Sequence, residues 1–363
     1  VNAPTTTSND LVHYLVERGL VERSTVVDGR VMVLPTARRN NNFSVICRGA
    51  ASYFVKSLLP GAAQAVETLR QEAALYALAA SEPSLGPLRD VLPAFHFFDP
   101  QRSLLVLAHL DGAKTISELH TQNGVTAAWA AEMAGRALGA IHRATVEALP
   151  RIDPATFRRQ TPWALSLHQI TPSFGQPGMQ LQTLLLTYPE YGVALDAMRA
   201  AWQPINVIHG DMKFDNCLIV DSGDSATPAL KIVDWELADL GDDLWDAAGI
   251  LQNYLFWSAV STQSTAAGWT VSMPFETLLP SLRGFWNAYA ESRGIAESDR
   301  TAQLQRCASY AAARLLQSTM EMLVVTPVMS TQVALLLQTS LNILRDPTAT
   351  VRLVTGEEAA VHA

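Results

Sequence analysis

The sequence predicts an α+β chain: β-rich runs and one main helix come first, then a longer, mainly helical stretch. Three observations carry this prediction. β-rich runs at Arg30–Leu34, Phe43–Cys47 and Tyr53–Lys56 are separated by turn residues. Apolar residues recur at helical spacing over Glu67–Ala80, over Thr126–Thr145 and through most of the chain after Ala247. Between the helical stretches, Val207-Ile208 and Cys217–Val220 bracket a polar loop carrying Asp211 and Asn216, and a third β-branched run, Leu230–Val233, ends on Asp234. Three side chains able to handle a metal or a proton therefore stand at strand ends, where loops leave a rigid scaffold.

Composition narrows the function. With 363 residues, 48% of them hydrophobic and 17% charged, the chain has enough apolar surface for a full core and is not globally disordered. A net charge of −8 and a pI near 5.5 argue against an extended nucleic-acid footprint. Cys47, Cys217 and Cys307 are far apart and odd in number, which fits neither a disulfide framework nor a zinc site and suits a reducing compartment. No signal peptide or membrane-spanning apolar run is read, so a cytoplasmic chain without a membrane partner is expected.

Ser8-Asn9-Asp10 is expected to cap a helix. Leu11, Val12, Leu15, Val16 and Leu20 form one apolar face, Gly19 lies near the end, and packing onto the first sheet is the expected role. The loop Pro35–Asn42 contains no glycine but three successive asparagines, which tolerate left-handed backbone. The stretch Pro150–Gly178 is rich in Pro and Gln and reads as an insertion or long loop before a helix at Val193–Trp202. The residues after Pro347 read as a loose tail.

The polar loop spells His209-Gly210-Asp211-x-x-x-x-Asn216, and the next strand ends Ile232-Val233-Asp234-Trp235-Glu236. The two motifs, in this order and about twenty residues apart, resemble the aminoglycoside phosphotransferase and choline kinase family, relatives of the protein kinases. The resemblance implies a bilobal protein-kinase-like fold, with an N-terminal nucleotide-binding lobe over 1–107, a hinge over 108–112 and a C-terminal catalytic and acceptor-binding lobe over 113–363. It also implies that Val91–Phe98 and Ser103–Leu107 are the last strands of the small lobe.

Site roles follow by resemblance. Asp211 would orient the attacking hydroxyl, with Lys213 reaching the transferred phosphate. Asn216 and Asp234 would bind Mg²⁺ on ATP. Lys56, paired with Glu72 (Glu67 being the alternative), would hold the α- and β-phosphates. The Pro35–Asn42 loop would cover the phosphates, through Arg38 or Arg39 and through Asn42. Main-chain groups near His109 and Leu110 would meet the adenine. Glu236 would brace the loop, His142 would be buried and structural, and Asp246 would tie the catalytic loop by hydrogen bonds.

The implied function is transfer of the nucleotide γ-phosphate to a hydroxyl. After Asp246 acids and bases nearly balance, so a small molecule other than a polycationic aminoglycoside is one acceptor. A Ser or Thr of a precursor peptide, in lanthipeptide- or thioamide-type biosynthesis, is the other. A nucleotide-binding pseudokinase is the non-enzymatic alternative.

Overall fold

The structure, a computed structural model, describes residues 7–37, 41–58, 63–123, 127–170, 174–221, 228–265 and 268–356. Its contacts divide the chain into two compact units. One comprises Val1–Lys114 and Leu218–Ala238, the other Thr115–Cys217 and Asp239–Ala363.

The first unit is built on a five-stranded antiparallel sheet in the order β1-β2-β3-β5-β4. Its strands are β1 (Val31–Ala37), β2 (Asn41–Cys47), β3 (Tyr53–Lys56), β4 (Phe95–Asp99) and β5 (Leu104–Ala108). β1 runs three residues past the expected end at Leu34, through Pro35, because it is the edge strand and Pro35 needs no partner for a missing N–H. Asn41 and Asn42 accordingly lie in β2, opposite Ala37 and Thr36, and not in the connecting loop. β4 starts four residues later than expected, because Gly86–Val91 is a short helix.

Side chains alternate across a strand, so neighbouring residues meet different partners. On one face Phe43, Val45, Tyr53, Val55, Leu104 and Val106 form a core with Leu11, Tyr14 and Leu15 of the helix Ser8–Glu17. That helix is capped by Thr7, one residue before the expected cap. Thr7 Oγ1 accepts from the Asp10 N–H and the Asp10 carboxylate accepts from the Thr7 N–H, a reciprocal capping box. Tyr14 and Arg18 then donate to the Asp99 carboxylate at 2.5 and 3.1 Å. Leu15→Ala should therefore destabilise the protein by about 2–5 kcal/mol, read from denaturant midpoints. A loss under ~0.5 kcal/mol, the range of surface substitutions, would show that this helix is not part of the core.

The opposite face carries the helix Ala63–Ser81, whose Tyr76 stacks on Phe95 with ring centroids 5.8 Å apart. β5, covered on both sides, is apolar without alternation.

The second unit is mainly helical. Its longest helices are Ala128–Ala148, Leu244–Val260, Phe275–Arg293 and Glu297–Val325. A two-stranded ladder pairs Asn206–Ile208 with Asp239–Gly241. The stretch expected as a long loop folds instead into short 3₁₀ turns, a helical turn at Leu167–Ile170 and the start of the helix Gly175–Thr187. The next helix begins at Glu190, not Val193. A hairpin, Thr262–Thr265 with Gly268–Val271, interrupts the helical run. The expected loose tail is a helix, Pro347–Thr355, that buries Val351 and Val354 while Arg283 donates to the carbonyls of Leu353 and Val354. Among the described residues no helix is long and apolar enough to cross a membrane.

Candidate active site

Each unit carries one set of the residues singled out in the sequence. In the first unit, Val55 and Lys56 are adjacent on β3, so Val55 enters the N-terminal core and Lys56 turns to the other face. There its Nζ donates to both Glu72 carboxylate oxygens at 2.8 Å and to Asp234 Oδ1 at 2.7 Å. Lys56 and Glu72 are buried, whereas the Asp234 side chain is 41% exposed. Burial opposes charge on Lys56, but the Glu72 and Asp234 carboxylates outweigh it and hold the ammonium above its usual range. Glu67, the other candidate partner, takes no part in this cluster.

Asp234 sits two residues past the strand Ala229–Ile232 with φ 68° and ψ 52°. This left-handed backbone is uncommon outside glycine but accessible to Asp. The turn lets the Trp235 N–H donate to Glu72 Oε1 at 3.3 Å and Trp235 Nε1 donate to the Ile232 carbonyl at 2.9 Å. The Lys56–Glu72–Asp234 cluster is thus cross-braced within one unit.

Beside it lies a cavity of about 220 Å³, lined by Phe54, Lys56, Leu107, His109, Leu110 and Val233 among others. The His109 N–H is already bonded to the Ser52 carbonyl at 2.9 Å, and the His109 ring to Asp111 at 2.7 Å. Main-chain hydrogen bonding to a ligand there falls to the His109 carbonyl and the Leu110 N–H. Asn42 Oδ1 is buried with no hydrogen-bond partner among the described residues. Ser44, two residues along the same face of β2, lines the cavity. Arg38, named as a phosphate contact, lies outside the described residues.

The second unit presents the loop His209–Asn216, and its main chain is held almost group by group. Gly210 has φ 81°, a conformation suited to glycine. Asp246 accepts from the N–H groups of His209 and Gly210 at 2.6 and 3.0 Å. The Gly210 carbonyl accepts from Trp245 Nε1 and Arg314 Nη1, the Asp211 carbonyl from Asn216 Nδ2, and the Met212 carbonyl from Arg314 Nη2. Asn253 Oδ1 accepts from the Phe214 N–H at 2.9 Å. A Cβ on Gly249 would overlap the Met212 carbonyl oxygen, so only glycine lets the helix Leu244–Val260 approach this closely. The Asp211 carboxylate is left facing two cations, Lys213 Nζ at 2.5 Å and Arg314 Nη2 at 3.8 Å.

Arg314 is the participant that sequence reasoning missed. It stands on the helix Glu297–Val325, buried, with its guanidinium 5.0 Å from the Trp245 ring centroid. No motif marks it. The available signal is one arginine in a run of Ala and Leu, where an unpartnered charge would be costly to bury.

His142 and Asp246 are both fully buried, 3.5 Å apart. Burial alone would raise the Asp246 carboxyl, but the His142 ring 3.5 Å away, together with His209 and the bond accepted from its N–H, holds it below the usual carboxylate range. A carboxyl whose folded value is depressed contributes stability that is present above its unfolded value, near 3.9, and is lost as pH falls through the folded value. Acid unfolding of Asp246→Asn should therefore show a weaker dependence on pH below about 4 than the native chain. An identical acid limb in both would contradict this role.

Among the described residues no three His, Cys, Asp or Glu side chains cluster as a metal site. Mg²⁺ takes hard oxygen donors, usually one or two protein carboxylates, and completes its shell with water and phosphate oxygens. Asp234 offers an exposed carboxylate, and Asn216, bonded through Nδ2, retains an amide oxygen as a hard donor.

A braced lysine–carboxylate cluster beside a cavity, and a rigid loop presenting an aspartate, define a phosphotransferase of protein-kinase-like fold. Residues 33–271 match the phosphotransferase enzyme family, and the chain belongs to that family. By that membership it is a phosphotransferase. No curated protein matches the sequence. Among solved structures the chain is similar to a choline kinase from Cryptosporidium parvum, 10% identical over 96% of this chain and 97% of that one, with a TM-score of 0.57. It is also similar to a choline/ethanolamine kinase family protein from Mesorhizobium loti, 18% identical over 96% and 98%, TM-score 0.52. A third likeness is to the GDP complex of aminoglycoside 2'-phosphotransferase-IIIa, 13% identical over 95% and 100%, TM-score 0.51. At these identities the likeness is one of fold.

Proposed function

We propose that the protein transfers the γ-phosphoryl group of ATP, with Mg²⁺, to a hydroxyl of a small molecule that is not a polycation. The nucleotide binds at the Lys56 cavity, its adenine meeting the His109 carbonyl and the Leu110 N–H and its phosphates meeting Lys56. Asp234 and Asn216 are the residues that would hold Mg²⁺ through oxygen atoms, and the ion would supply neutralisation of phosphate charge. Asp211 accepts a hydrogen bond from the acceptor hydroxyl and takes its proton as the new O–P bond forms and the bond from the γ-phosphorus to the bridging oxygen breaks, releasing ADP, while Lys213 offers charge to the moving phosphoryl group.

The observation that carries the choice of acceptor is the pair of cations on Asp211. Lys213 at 2.5 Å and Arg314 at 3.8 Å make the immediate approach to the carboxylate electropositive. A polycationic aminoglycoside would meet like charge there. The test is ADP release with Mg·ATP against neutral and singly charged alcohols, aminoglycosides and Ser/Thr peptides, with phosphorylated products weighed by mass spectrometry. Turnover is expected with the alcohols. Preferred turnover with an aminoglycoside or a peptide would overturn the choice of acceptor.

A further inference from the structure

We propose that a second cavity, on the helix that carries Arg314, takes the body of the acceptor, and that the acceptor is an elongated amphipathic alcohol: an apolar chain with the reacting hydroxyl at one end and a hydrogen-bond-donating group at the other. This rests on the phosphotransferase reading of Asp211. The cavity measures about 670 Å³ and is lined by Phe256, Ser318, Glu321, Met322, Val328 and Val333, with others. That volume is ordinary for a small-molecule site.

Two helical stripes connect residues that hold the catalytic loop with residues that line the cavity. On Leu244–Val260, Gly249 touches the Met212 carbonyl, Asn253 holds the Phe214 N–H, and Phe256 lines the cavity. On Glu297–Val325, Arg314 holds the carbonyls of Gly210 and Met212, and Ser318 and Glu321 line the cavity. Residues at these spacings share one helix face. The stripes are bridged by Gln252, which donates to Ser318 Oγ at 3.0 Å and accepts from Asn253 at 2.9 Å. From Arg314, beside Asp211, to Glu321 is two helical turns, about 10 Å.

The chemistry of the lining sets the ligand class. Phe256, Met322, Val328 and Val333 are apolar, and Glu321 is the one charged residue among those lining the cavity. Val325 and Val328, 83% and 59% exposed, extend the apolar surface at the rim. An apolar chain is therefore favoured, with one ammonium, amide or hydroxyl donor meeting the Glu321 carboxylate, whose Oε1 also accepts from Gln317 Nε2 at 3.1 Å. A polycation finds a single carboxylate there.

The probes are n-amino-1-alkanols of increasing length, with Mg·ATP. The expected result is that kcat/KM rises about fourfold per methylene until the chain spans about 10 Å, then levels. Glu321→Gln should lower kcat/KM for the long members about tenfold, and Met322→Trp, which fills the cavity, should flatten the length series. Calorimetric binding of a long member without nucleotide, lost in Met322→Trp, reads the cavity independently of turnover. If Asp211-dependent turnover is present but the series is flat and neither substitution alters it, the cavity assignment is wrong and the phosphotransferase reading stands. If no alcohol is turned over yet the long probe binds and Met322→Trp abolishes binding, the cavity stands and the proposed function fails.

Discussion

Asp211→Ala is expected to lower phosphoryl transfer by ~100- to 10,000-fold, the range contributed by a positioned proton acceptor, while nucleotide affinity stays close to that of the native chain. The separation follows from where the groups reside. Asp211 lies in the Thr115–Cys217 segment, whereas Lys56, Glu72, Asp234 and the cavity at His109 and Leu110 all belong to the other unit. The fold of the loop should survive, because it is held by its main chain through Asp246, Asn216, Asn253 and Arg314. Single-turnover kinetics alongside calorimetry with a non-hydrolysable ATP analogue distinguish the two effects. Full turnover in the variant would remove Asp211 from the chemistry.

Lys56→Ala should have the second-largest effect, and on two quantities at once. Transfer should fall about 100- to 1,000-fold, as for loss of one preorganised cation or donor facing developing charge. Stability should fall by about 3–5 kcal/mol, because Glu72 would remain as a buried carboxylate without its partner. A double variant, Lys56→Met with Glu72→Leu, removes both charges and should recover much of the stability but none of the activity. Urea unfolding and ADP release together check this. A stable, active Lys56→Ala would show that the pair neither braces the sheet nor serves the nucleotide.

The fold class was legible because its signals are local. Period-two runs mark β2 and β3, period-3.6 runs mark the helices, and the His209–Asn216 and Ile232–Glu236 motifs are contiguous. What was missed depends on contacts distant in sequence. Arg314 lies far along the chain from Gly210 and Met212, whose carbonyls it binds. The helix Pro347–Thr355 is short, and its place depends on burial of Val351 and Val354 and on Arg283, distant in sequence, capping its last carbonyls. Pro35 suggested a loop, and only its edge position in the sheet lets β1 continue through it. Pro150–Gly178 misled for a similar reason, since prolines at the first positions of short 3₁₀ turns start structure as readily as they end it. In the candidate site, residue types at Lys56, Glu72 and Asp234 were readable, but the exhaustion of the His109 N–H by Ser52 was not, because a backbone hydrogen bond leaves no mark on side-chain identity.

The central claim is transfer of a phosphoryl group to a carbon-bound hydroxyl, and following the γ-phosphorus itself tests it most directly. With γ-labelled ATP, Mg²⁺ and an accepted alcohol, label should appear as a phosphate monoester on that alcohol, in equal amount to the ADP formed, and its rate of appearance should fall ~100- to 10,000-fold in Asp211→Ala. Label released only as inorganic phosphate, or retained on ATP whichever alcohol is supplied, would contradict it.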